Sequence, residues 1–126
     1  MKGVFVDSSV VIAIAFDEPG AAAAVRRLRS ADRVLAAPLL EAEVASACHR
    51  EGRPVDEHLF VALEWVHADR SLGPEIGRVL GAGYVRGADC WHLATALFAA
   101  PDPRQATFLT LDARQRGVAK ALGFST

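Results

Sequence analysis

The chain has 126 residues, 52% of them hydrophobic and 23% charged, with a formal net charge of −1. That is the size and composition of one globular domain, not of a disordered tail. The balanced charge excludes a protein that coats nucleic acid by bulk attraction, and charge or Pro/Gly breaks every apolar run before the roughly 18 residues that suggest a membrane span.

The opening MKGVFVDSS runs directly into a strand-like segment with no cleavage region, so no signal peptide is expected and the protein is read as soluble and cytoplasmic. GVFV (3–6) predicts a buried strand that ends at Asp7. SSVVIAIAF continues as a helix with Ser8 or Ser9 near its start, DEPG (17–20) breaks it, and the Ala-rich segment 20–30 predicts a second helix. RVLAAP (33–38) reads as the second strand, and LLEAEVASACHREG as a helix stopping at Gly52. VDEHLFVALEWVHA (55–68) places apolar residues at 59, 60, 63 and 66, which is helical spacing. DRSLGP (69–74) has room for a very short strand, and 74–83 predicts a further helix. GADCWHLATALFAA is a strong helix ended by PDP, ATFLTLD a strand ending at Asp112, ARQRGVAKALG a helix, and FST a candidate last strand. Cys48 and Cys90 fall within apolar helical patterns, without CxxC or zinc spacing, and are expected to be small buried hydrophobes.

Strands alternating with helices predict an α/β fold: a single domain over 1–126, as a three-layer α/β/α sandwich around a parallel sheet of four to five strands. Ligands of such sheets bind outside the carboxyl ends of the strands, where Asp7 and Asp112 both project. A helix cap would account for each alone, because Asp is a favoured N-cap. Two together at apolar strand ends favour a shared site. Asp89 lies beside an apolar stripe through Leu93 and Leu97, at the positive end of its helix. The helix from 39 to 50 offers Glu41 and Glu43 on opposite flanks of its stripe, and periodicity does not choose between them. Carboxylates converging without His or Cys ligands repel one another unless a cation sits among them. Oxygen-only donors select Mg²⁺ or Mn²⁺, the usual equipment for phosphodiester cleavage.

Four stretches, VFVDSSVVIA, PLLEAEVASACHR, GADCWHLATAL and FLTLDARQRGVAKALGF, carry a resemblance that spans residues 4–124. In that order they resemble the PIN domains, and most closely the small VapC-type ribonuclease toxins of toxin–antitoxin pairs. The resemblance implies an acidic quartet of Asp7, Glu43, Asp89 and Asp112, and it selects Glu43 over Glu41. It implies Asp7 and Asp89 as the most direct Mg²⁺ or Mn²⁺ ligands, with Asp112 and Glu43 completing the site directly or through water. It further implies an RNA substrate, a cognate antitoxin that inserts into the acidic groove, and a homodimer.

Ser9 and Thr110 are candidates to orient a carboxylate or touch phosphate, or else are local caps. The basic residues comprise twelve Arg and two Lys. Arginine suits phosphate contacts, so Arg86 and Arg114 beside the acids are candidates to meet an RNA backbone, although compositional bias accounts for Arg as well. His92 reads as a packing residue, and Trp65 and Trp91 as core or interface residues before base-stacking ones. Two other readings compete. One is a non-catalytic PIN-like scaffold, from which an acid is usually lost. The other is a phosphatase whose aspartate nucleophile ends the first strand; it calls for a second Asp where this chain has Ser9. No Gly-rich turn follows the first strand, which argues against dinucleotide binding.

Overall fold

The computed structural model describes residues 3–126, so the expectation of no signal peptide rests partly on residues outside that range. Strands β1 (Gly3–Val6), β2 (Arg33–Ala36), β3 (Leu63–Trp65) and β4 (Ala106–Leu109) form a sheet in the order β3-β2-β1-β4. Every pairing is parallel. Parallel neighbours cannot be joined by a hairpin, and helices provide the crossovers. The helices are α1 (Ser8–Ala15), α2 (Ala21–Arg29), α3 (Leu39–Arg50), α4 (Gly73–Ala82) and α5 (Gly87–Ala99), with α6 (Ala113–Leu122) following the last strand.

Successive side chains of a strand point to opposite faces, and the central strands use this to build two cores. Phe5 and Phe108 face one way, with Leu93, Leu97, Val118 and Phe124 from α5, α6 and the C-terminus. The Phe5 and Phe108 rings stack at 5.7 Å between centroids, and Phe124 packs on Phe108 at 5.9 Å. Val6 and Leu109 face the other way, onto Val10 of α1, Ala24 of α2, and Leu40 and Val44 of α3. The result is the expected three-layer sandwich. Phe108 is fully buried, and its truncation to Ala would cost about 3–5 kcal/mol. Gly123 ends α6 at φ 110°, in the left-handed region, turning Phe124 back so that its N–H donates to the Ala119 carbonyl at 3.0 Å.

One region corrects the sequence reading. Residues 55–68 do not form a helix. A 3₁₀ turn covers Glu57–Leu59 and β3 follows, pairing Val34 with Leu63 and Ala36 with Trp65. Leu59, Phe60 and Leu63 still reach the core beside α3, with Phe60 packed on Trp65 at 6.0 Å, whereas Val66, the fourth apolar position, packs against the opposite core. Their helix-like spacing comes from a turn followed by a strand. DRSLGP carries no strand and leads into α4, and FST contributes one bridge, Ser125 to Thr107, so the sheet has four strands. Cys48 and Cys90 are free and buried, as expected. No helix among the described residues is long and apolar enough to cross a membrane.

Candidate active site

The chain builds β1, β2 and β3 outward in one direction, then returns to place β4 on the other side of β1. Crevices in open α/β sheets form where the strand order reverses, which here is the carboxyl end of the β1/β4 pair. The Asp7 N–H donates to the Leu109 carbonyl at 3.2 Å, carrying that pairing one residue past β1. Asp7 therefore lies against the end of β4, with Asp112 at the start of α6 beyond it.

Asp7 is the floor of the site, only 2% exposed. Ser9 Oγ donates to its Oδ1 at 2.7 Å and accepts the Leu111 N–H at 3.0 Å. Thr110 Oγ1 lies 3.3 Å from Ser9 Oγ, donates to Gln115 Oε1 at 2.8 Å and accepts the Asp112 N–H at 3.0 Å. Gln115 is fully buried and its Nε2 donates to the Asp89 carbonyl at 3.2 Å. A polar network thus runs from Asp7 through β4 to α5. Burial pushes the Asp7 carboxyl up to about 6, against the opposing pull of the Ser9 hydrogen bond and the nearby His92.

Asp89, in the first turn of α5, is half-buried. Burial raises its carboxyl above the ordinary carboxylate range, and the charges of Asp112 and Glu43 raise it further, against His92 and Arg86. Glu43 leaves α3 toward α5, where its Oε1 meets His92 Nε2 at 2.5 Å. Burial alone would raise the Glu43 carboxyl, but hydrogen bonding, from His92 above all, holds it below its ordinary value. Glu41 is exposed and lines a different crevice with Ala45, Val55, Glu57, Phe60 and Val61. Packing distinguishes the two glutamates that periodicity left open: Glu43 meets α5 and acts on Asp89, whereas Glu41 does not. Asp112 is exposed at the rim, where its side chain caps α6 by accepting the Gln115 N–H at 2.8 Å.

Asp112 and Glu43 act on Asp89, and the four acids are graded in exposure from buried Asp7 to exposed Asp112. Among the described residues, no three His, Cys, Asp or Glu side chains close on a single point as a finished ligand set. In its chemistry the donor set suits a hard divalent cation. It consists of carboxylates, and positive charge placed among them would relieve both the burial of Asp7 and the mutual repulsion felt by Asp89. Beside Ser9 and Asp112 a crevice of about 500 Å³ opens, also lined by Ile12, Ala13, Glu18, Pro19 and Leu111. Arg86 precedes α5 close enough to act on Asp89, Arg114 lies 6.0 Å over the Tyr84 ring, and Arg116 donates to the Thr110 carbonyl at 3.0 Å.

Sequence reasoning missed two side chains. Gln115 was signalled by the Asp112-x-x-Gln115 spacing of a capping box, although its amide serves Thr110 and Asp89 instead of the cap. His92 is buried as expected, but it is also the partner of Glu43. Trp65 is half-buried in the β3 region, and Trp91 is 37% exposed on α5. The family model described as "PIN domain" matches residues 4–121. No curated protein matches the chain at a significant level.

Proposed function

The chain belongs to the PIN-domain family, whose members are in general metal-dependent nucleases, and from that premise we propose that it is an Mg²⁺- or Mn²⁺-dependent endoribonuclease acting as the toxin of a VapC-type toxin–antitoxin pair. The observation that carries the reading is Asp7. It is a carboxylate buried at the strand-order reversal, raised to about 6, with a second raised carboxylate, Asp89, in the same neighbourhood. An acid that serves as a helix cap accepts a backbone N–H of the first turn. Asp7 stands at the N-cap position of α1 but makes no side-chain cap hydrogen bond.

Asp7 and Asp89 are the direct ligands in this proposal, and Asp112 and Glu43 complete the site directly or through water. When bound, the cation supplies Lewis-acid charge to a scissile phosphate and lowers the pKa of a water nucleophile. The chain's own residues orient these groups. Ser9 fixes one oxygen of Asp7, and Gln115 ties Asp112 to the backbone of Asp89. Arg86 and Arg114 flank the acids as phosphate contacts, and the crevice beside Asp112 leads the strand in. The proposal also includes cytoplasmic action, a homodimer, and a cognate antitoxin that occupies the acidic groove.

The test is RNA cleavage by purified protein free of antitoxin. Cleavage should be abolished by EDTA, restored by Mn²⁺, and lost in Asp7→Ala and Asp89→Ala proteins that retain their fold by circular dichroism. Metal-independent cleavage, or full activity in both variants, contradicts the reading. For the toxin role, induction should arrest growth, and co-expression of a short upstream reading frame should relieve the arrest.

A further inference from the structure

His92 has no exposed surface. Its Nε2 meets Glu43 Oε1 at 2.5 Å, while Nδ1 has no hydrogen-bond partner. Burying an imidazole with one unpartnered nitrogen is costly, and a leucine at this point of α5 would fill the space without that cost. What the imidazole adds to a hydrocarbon is one directed N–H. Because Nε2 faces a carboxylate, the contact assigns the proton to Nε2, and Nδ1 is left as a bare acceptor, the less costly atom to leave unpaired.

That N–H crosses the molecule. Glu43 belongs to α3, packed on the Val6 side of the sheet, and His92 to α5, packed on the Phe5 side. The bond joins the two helical layers over the carboxyl edge of the strands, beside the acids. Asp89 and His92 are three residues apart and so share a face of α5, which places a carboxylate and the group that steadies the next carboxylate within one turn. A glutamate with three rotatable side-chain bonds is thereby held in one orientation.

We propose that His92 is a positioning residue: its Nε2–H engages Glu43 Oε1 and leaves the other Glu43 oxygen to meet a bound cation, directly or through one water. The part that invokes a cation rests on the proposed nuclease reading, whereas the coupling of His92 to Glu43 stands without it.

Three variants test this: His92→Leu, His92→Gln and Glu43→Gln. The first measurement needs no cation. Long-range ¹H–¹⁵N spectra of the metal-free protein should show His92 as the Nε2–H tautomer, with its ring nitrogens shifting in Glu43→Gln. Ring signals of the other tautomer, or signals untouched by Glu43→Gln, overturn the proposal, and this comparison does not depend on whether His92→Leu folds. The second is Mn²⁺ binding followed by electron paramagnetic resonance on proteins whose melting shows them folded. His92→Leu should bind Mn²⁺ about 10- to 100-fold more weakly, the usual loss when a group that orients a ligand is removed. His92→Gln, which keeps an N–H near the Nε2 position, should recover most of it. An unchanged affinity in His92→Leu, or an equal loss in His92→Gln, overturns the positioning role. A wild-type protein that binds no Mn²⁺ overturns the nuclease reading instead, and the nitrogen spectra still decide the His92–Glu43 coupling.

Discussion

Asp7 follows β1 and Asp112 follows β4, on neighbouring parallel strands and each just ahead of a helix, yet only Asp112 caps its helix. Asp112 sits in water and accepts the Gln115 N–H at 2.8 Å. Asp7, 2% exposed, makes no cap bond, and burial raises its carboxyl to about 6. The same residue type in the same local setting therefore has opposite energetics. Asp112 stabilises the fold by capping. Asp7 is a charge the fold holds at a cost, on the order of 2–3 kcal/mol at neutral pH from the raised carboxyl alone. An acid kept against stability points to function, and the comparison can be broken or sharpened by experiment.

The largest expected effect is on activity. On the proposed reading Asp7→Asn removes a metal ligand and should lower RNA cleavage about 1000-fold, the equivalent of several kcal/mol of lost transition-state stabilisation. Steady-state cleavage of a labelled RNA checks it. Stability should move oppositely in the two strand-end variants of the metal-free protein. Asp7→Asn should raise unfolding stability at pH 7.5 by about 1–3 kcal/mol in urea titrations. Asp112→Ala should lower it by about 1 kcal/mol through the lost cap. If both destabilise alike, the contrast between the two acids is wrong.

The pH dependence follows from the same raised carboxyl. In the metal-free protein the folded state binds the Asp7 proton more tightly than the unfolded chain, whose value is near 3.8. The Asp7 cost is absent below that value, grows as pH rises through the window from 3.8 to about 6, and is complete above it. Stability across that window should fall more with rising pH in the wild type than in Asp7→Asn, as followed by melting at each pH. A smaller effect is expected from Ser9→Ala, which removes the donor to Asp7 Oδ1 and should push its carboxyl higher still in a ¹³C titration. Smallest of all is Glu41→Gln, which should leave cleavage unchanged because Glu41 faces a different crevice.

Most of the fold was legible where the chain states it locally. GVFV followed by Asp7 and TFLTL followed by Asp112 read as strands ending in acids because apolar, β-branched runs meet a polar stop. β3 was not legible. It is three residues long, at the sheet edge, and its alternation of half-buried Leu63 and Trp65 around exposed Glu64 is too short to outweigh the helical spacing around it. Its identity is set by pairing with β2, and Arg33 bonding to Glu64 at 2.7–3.2 Å beside that pairing has no local signature. The site shows the same division. Asp7, Asp89 and Asp112 stood out by their positions, whereas Glu43 was separated from Glu41 only by resemblance and then by packing. The His92 contact joins residues 49 positions apart, and no local pattern on α5 distinguishes it from a buried histidine without a partner.

The central claim is that Asp7 is kept buried and charged in order to share a divalent cation with the other acids. The most direct measurement is the shift in melting temperature on adding Mn²⁺ at pH 7.5, for the wild type and for Asp7→Asn side by side. The account predicts a concentration-dependent rise for the wild type, as binding to the folded state requires, and none for Asp7→Asn. An equal rise in both proteins, or no rise in the wild type, would contradict it.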